Sequence, residues 1–174
     1  MTAISERKRR DMPRATTDEK NAADLRKAGA NGDLGSWLKA HFGRSHVGDY
    51  VALLAYIERN AAHIDNLQSM RLAVRDKRRV ATCAEFGPRF LHSTGQAYKG
   101  GPNSGVFLQI TAESAPDLDI PGHKASFGVI EAAEARGDLR VLAERGRRVL
   151  RAHVTHDLAS GLAAIGDAAR AVLR

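Results

Sequence analysis

The sequence predicts an α/β fold of three layers, with helices on both faces of a mostly parallel sheet. Three observations carry that reading. YVALLAYI at residues 50–57 is an almost unbroken apolar run of strand length, as expected for a strand covered on both faces. Strand-like and helix-like patterns alternate from there to the end of the chain. A strand, about four helical turns and a second strand in succession make a parallel crossover unit.

Residues 1–33 read as a disordered basic leader. They hold eight Lys or Arg against six Asp or Glu and few large apolar side chains, so they offer little burial to offset the entropy of ordering. Within them, residues 18–28 have helical spacing only if something covers Ala22, Leu25 and Ala28. The folded domain is expected over residues 34–174. Asp33 is a helix cap followed by Leu34, Trp37, Leu38 and Phe42 on one face, with Gly43 as the stop. Asn60 caps a second helix to about residue 76, whose apolar side is Ile64, Leu67, Met70 and Val74 and whose basic end suits the helix dipole.

Short strands are expected at residues 80–83 and 106–111. Two prolines and DLDIPG make residues 112–124 an extended connection. Ser126 caps a helical stretch to about residue 136 that resumes beyond Gly137 through Leu139, Leu142 and Ala143. RVLRAHV at 148–154 alternates as a strand at or near a sheet edge, with Arg151 and His153 on a different face from Leu150. Asp157 caps a last amphipathic helix along Leu158, Leu162, Ile165, Ala169 and Val172.

Composition narrows the function. The 174 residues suit one domain, and 43% hydrophobic content with only 5% aromatics implies a core of aliphatic side chains and alanine. No apolar run is long enough to span a bilayer, and no apolar segment follows RKRR as in a secretory signal, so a cytoplasmic protein is expected. Cys83 is the single cysteine and sits in an apolar run, as a buried thiol does. The net charge of +7 attracts anions. Its cations are scattered in short groups without interleaved aromatics, which argues against a nucleic-acid platform. No HxxxH or HExxH pair, GxSxG or Walker loop occurs, so no metal, nucleotide or other cofactor is expected.

Residues 86–110, FGPRFLHSTGQAYKGGPNSGVFLQI, are the densest in chemistry. Five glycines and two prolines predict a backbone that turns repeatedly between two apolar runs. Arg89, His92, Ser93, Thr94, Gln96, Tyr98 and Lys99 supply donors, an imidazole and two cations within eleven positions. A plain structural loop is the competing reading.

GPRFLHSTGQ, KGGPN, FLQIT, the later DIPG and SFG, and RGRRVLRAHV resemble the C-terminal isomerase portion of bifunctional transaldolase/phosphoglucose isomerase fusion enzymes. LHSTGQ is similar to the histidine-serine-methionine-glycine-glutamine segment of bacterial phosphoglucose isomerases. The resemblance runs from about residue 49 to about residue 162. It implies a partial sugar-isomerase (SIS-like) domain acting on a hexose phosphate. It also implies a partner, either an upstream isomerase/transaldolase polypeptide or a second copy, because the family's transaldolase half and first sugar-binding half have no match in these 174 residues.

Interconversion of glucose 6-phosphate and fructose 6-phosphate needs a phosphate anchor, ring opening and proton transfer through an enediolate. His92 is the candidate for ring opening or, alternatively, a hydrogen-bonded residue orienting its loop. Glu58, or else Glu85, is the candidate carboxylate base at a strand end. Lys99 is the candidate cation beside the enediolate, and Arg89 steers the phosphate. Ser93, Thr94 and Gln96 are expected to bind sugar or phosphate oxygens, Gly95 to permit close approach, and backbone N–H groups at Gly100 and Gly101 to form a nest for phosphate. The sequence departs from the family where a histidine closely follows the asparagine-glycine-glutamine triplet of many members: here Ala97 and Tyr98 follow Gln96. A sugar-phosphate-binding or assembly module without catalysis is the alternative function.

Overall fold

The computed structural model describes residues 12–113 and 117–173. Strands β1 (Arg14–Thr16), β2 (Tyr50–Tyr56), β3 (Ala81–Phe86), β4 (Gly105–Ala112) and β5 (Arg148–Val154) form one sheet in the order β1-β5-β4-β2-β3. The last four are mutually parallel, and β1 runs antiparallel along β5. Among the described residues six helices surround the sheet: α1 (Glu19–Lys27), α2 (Leu34–Gly43), α3 (Ala61–Arg78), α4 (Thr94–Gly100), α5 (Phe127–Glu144) and α6 (Leu158–Val172). A 3-10 turn, Arg89–His92, precedes α4.

Burial follows from the strand patterns. Residues 51–57 are all buried, because one side of β2 meets the cluster built by α2, α3 and α6 and the other meets the cluster of α4 and α5. Leu53 and Ala55 join Leu38, Leu67, Met70 and Ile165 on the first face. Ala52, Leu54 and Tyr56 join Phe90, Tyr98, Phe107 and Leu142 on the second. The three-layer α/β/α arrangement with a mostly parallel sheet is therefore the observed fold.

Each of the four expected caps is made. The side chains of Asp33, Asn60, Ser126 and Asp157 accept the backbone N–H of Ser36, His63, Val129 and Ser160, respectively. Gly137 does not interrupt α5, which runs unbroken through it. The expected extended connection after β4 falls partly on residues 114–116, outside the described residues; the rest turns back through an Asp119–Ser126 bridge.

The leader reading needs correction from residue 12 onward, its first eleven residues lying outside the described residues. Residues 14–27 are β1 and α1, and they are tied to β5. Asn21 Nδ2 donates to the Arg147 carbonyl at 3.1 Å, its Oδ1 accepts from the Val149 N–H at 3.2 Å, and Thr17 Oγ1 donates to the Val149 carbonyl at 2.7 Å. Ala22 and Leu25 are covered, as a helix here requires, with Ala30 buried after the turn in place of Ala28, which is exposed. The strand and helix satisfy what would otherwise be the open edge of β5, so it is not the edge strand.

Candidate functional site

In a parallel sheet the crevice beyond the carboxyl ends of the strands opens where the chain reverses its direction of winding. Here that point lies between β2 and β4, because β3 adds on one side of β2 and β4 and β5 add on the other. Glu58 follows β2 at this rim and is exposed; its Oε2 accepts from Asn60 Nδ2 at 3.3 Å, and its carbonyl accepts from His63 Nδ1 at 2.7 Å. Glu58, His63, Glu113, Glu131, His156 and Asp157 line an open groove of about 700 Å3.

The glycine-rich stretch leaves the carboxyl end of β3. A Cβ on Gly87 would stand 2.6 Å from the Tyr56 ring, so glycine is what lets the chain cross that ring. The stretch does not turn repeatedly as expected. After the 3-10 turn it coils into α4, because Phe90 and Tyr98 both insert into the core, with ring centroids 5.6 Å from Tyr56 and 5.2 Å from Phe107, respectively. Glu85 holds the start of the helix: its carboxylate accepts from Thr94 Oγ1 at 2.6 Å and from Tyr98 Oη. Both oxygens are thus engaged within the fold.

The predicted residues separate into two groups. Arg89, His92, Ser93, Thr94 and Gln96 are exposed together at the β3 end of the rim. Ser93 Oγ donates to the Phe90 carbonyl at 3.3 Å and Gln96 Nε2 to the Leu91 carbonyl at 3.0 Å; the Arg89 and His92 side chains bond to none of the described residues. Gly95 is buried, and a Cβ there would lie 2.9 Å from the Phe90 carbonyl oxygen. Its closeness serves the packing of α4 on the turn, which corrects the expectation that it opens room for a ligand.

Lys99, Gly100 and Gly101 lie at the far end of α4, away from those residues along the helix. Lys99 Nζ is 2.6 Å from Oδ1 of the buried Asp138 of α5. Arg147 Nη2 donates to the carbonyls of Lys99 and Gly101 at 2.8 and 2.6 Å, while the Gly101 N–H donates to the Ala97 carbonyl at 2.8 Å. A helix C-terminus offers carbonyls, so the expected N–H nest for phosphate at Gly100 and Gly101 is not formed. Lys99 is likewise committed to Asp138 rather than free beside a substrate.

Sequence reasoning missed a second constellation at the same rim. Tyr56, Thr111, Glu131, Arg136, Arg151 and His153 line a cavity of about 180 Å3 over β2, β4 and β5. Arg151 Nε donates to Gln109 Oε1 at 2.7 Å and its Nη2 to the Ala135 carbonyl at 3.1 Å. Thr111 Oγ1 and His153 Nδ1 are 2.9 Å apart. Burial, with the nearby Asp138 carboxylate, raises the pKa of Tyr56; burial, with Glu134 and Asp117, raises that of Glu131. Burial also lowers those of Arg151 and His153, with Arg136 adding to the first effect. The only signal in the sequence was the alternation that sets Arg151 and His153 apart from Leu150.

No protein-family model and no curated protein sequence matches the chain. Among solved structures, the fold is similar to that of a hypothetical protein, TT0462, from Thermus thermophilus, with a TM-score of 0.62 and 18% identity over 90% of this chain. The chain spans 44% of that protein's length. At that identity the likeness establishes the fold, a three-layer α/β architecture whose parallel strands converge on the rim described above.

Proposed function

We propose that the chain is the C-terminal sugar-isomerase domain of a glucose-6-phosphate isomerase. The observation that carries this reading is the exposed His92, Ser93 and Thr94 of the LHSTGQ segment, with Arg89 just before it, at the carboxyl end of β3. A histidine there can pass a proton to and from the ring oxygen and anomeric hydroxyl of a hexose while the neighbouring hydroxyls hold sugar oxygens. Glu58 is the base this reading prefers, since Glu85 has both oxygens engaged. The pairing of Ala55 with Phe86 brings the ends of β2 and β3 side by side, with Glu58 and the LHSTGQ segment both beyond that edge. Proton transfer between C1 and C2 then proceeds through an enediolate, for which the upstream half contributes the phosphate anchor.

One observation favours the second reading, a sugar-phosphate-binding or assembly module without catalysis. Lys99, the cation expected beside the enediolate, is held by Asp138. An assay of fructose 6-phosphate formation from glucose 6-phosphate, with and without the upstream isomerase half supplied as a separate polypeptide, decides between them. Turnover only in the mixture supports the isomerase; sugar-phosphate binding with no turnover in any combination supports the module.

A further inference from the structure

The cavity over β2, β4 and β5 is built around a cation that the fold itself does not neutralise. Arg151 is half-buried, yet its hydrogen bonds go to a neutral amide oxygen, Gln109 Oε1, and a neutral carbonyl, Ala135. No carboxylate among the described residues pairs with it. A guanidinium removed from water ordinarily gains a carboxylate partner. Tyr56, 4% exposed, lines the same cavity but turns its hydroxyl to the Asp138 carboxylate, whose Oδ2 has no other partner among the described residues. Asp138 thus faces Lys99 through Oδ1 and Tyr56 through Oδ2, and does not pair with Arg151.

We propose that this cavity is a phosphate site, in which Arg151, His153 and Arg136 receive the oxygens of inorganic phosphate or of a small phosphate monoester. Donors from one strand and the helix that crosses it suit a tetrahedral oxyanion better than a planar carboxylate, which one guanidinium satisfies in two parallel bonds. The site lies at the switch point, where ligands of parallel sheets bind, and it shares no residue with the LHSTGQ segment. It does not depend on the isomerase reading.

The test is calorimetric titration of the full chain with inorganic phosphate, glycerol 3-phosphate and acetate at matched ionic strength. Saturable binding of the two phosphates and not of acetate is expected. Tighter binding of glycerol 3-phosphate identifies a monoester as the natural source, and equal binding identifies free phosphate. Arg151→Gln is expected to weaken binding roughly tenfold or more. Arg136→Ala, at an exposed position, is expected to weaken it roughly threefold to tenfold. His92→Ala is expected to leave it unchanged, so failure here and failure of the isomerase reading are separate results. Acetate binding as well as phosphate, no saturable binding, or unchanged affinity in Arg151→Gln and Arg136→Ala overturns the proposal.

Discussion

Lys99 Nζ stands 2.6 Å from Asp138 Oδ1, and the aspartate side chain is only 2% exposed. This pair fastens the last turn of α4 to the middle of α5 and so fixes how the LHSTGQ segment leaves β3. Removing one member strands a charge in the interior. Lys99→Met is expected to cost about 3 kcal/mol in urea unfolding, and Lys99→Met with Asp138→Leu to recover most of that loss, since an apolar pair leaves no unpaired charge. A double variant no more stable than the single one counts against the pair as the reason.

Gly95 and Gly137 separate a packing glycine from a replaceable one. A Cβ at Gly95 meets the Phe90 carbonyl oxygen at 2.9 Å, whereas one at Gly137 meets nothing within 4 Å. Gly95→Ala is expected to destabilise by roughly 1–3 kcal/mol, and Gly137→Ala, inside α5, to stabilise by about 0.5–1 kcal/mol. Thermal unfolding of the two variants checks both signs.

His41 predicts a pH dependence. It is fully buried, and Nε2 donates to the Phe107 carbonyl at 3.0 Å while Nδ1 has no partner among the described residues. Burial, reinforced by Arg44 and Arg148 and opposed by that hydrogen bond, holds its pKa at about 3, against an ordinary 6.5. Between those values the unfolded chain binds the proton and the folded one does not, so stability falls as pH falls through this window and is fully present above it. Between pH 6.5 and 4.5, before carboxylates dominate, the slope approaches about 1.4 kcal/mol per pH unit. His41→Gln keeps a donor for Phe107 and cannot titrate. Urea midpoints across this range are expected to flatten in that variant, and an unchanged slope assigns the dependence elsewhere.

The sheet and its flanking helices were legible because their signals are local. A cap such as Asn60 and a run such as YVALLAYI mean the same thing wherever they occur. The first strand and helix were not, because their order depends on Asn21 reaching the backbone of β5, residues 147 and 149, across more than a hundred residues of sequence. The helix α4 was hidden by its own glycines, which mimic a turn until Phe90 and Tyr98 are seen to share the core with Tyr56 and Phe107. Half of the candidate site was readable as a motif. The other half, Tyr56 with Arg151, arises from residues of β2 and β5 with β4 between them, and no spacing in the chain announces it.

The isomerase reading stands or falls on His92. The direct measurement is the rate of fructose 6-phosphate formation from glucose 6-phosphate by the chain mixed with the upstream isomerase half, for the natural sequence and for His92→Ala. Turnover is expected in the natural mixture, with little in the absence of the upstream half, and His92→Ala is expected to lose about 100-fold or more with the fold intact by circular dichroism. Equal turnover by the natural and His92→Ala mixtures, or none in either, contradicts it.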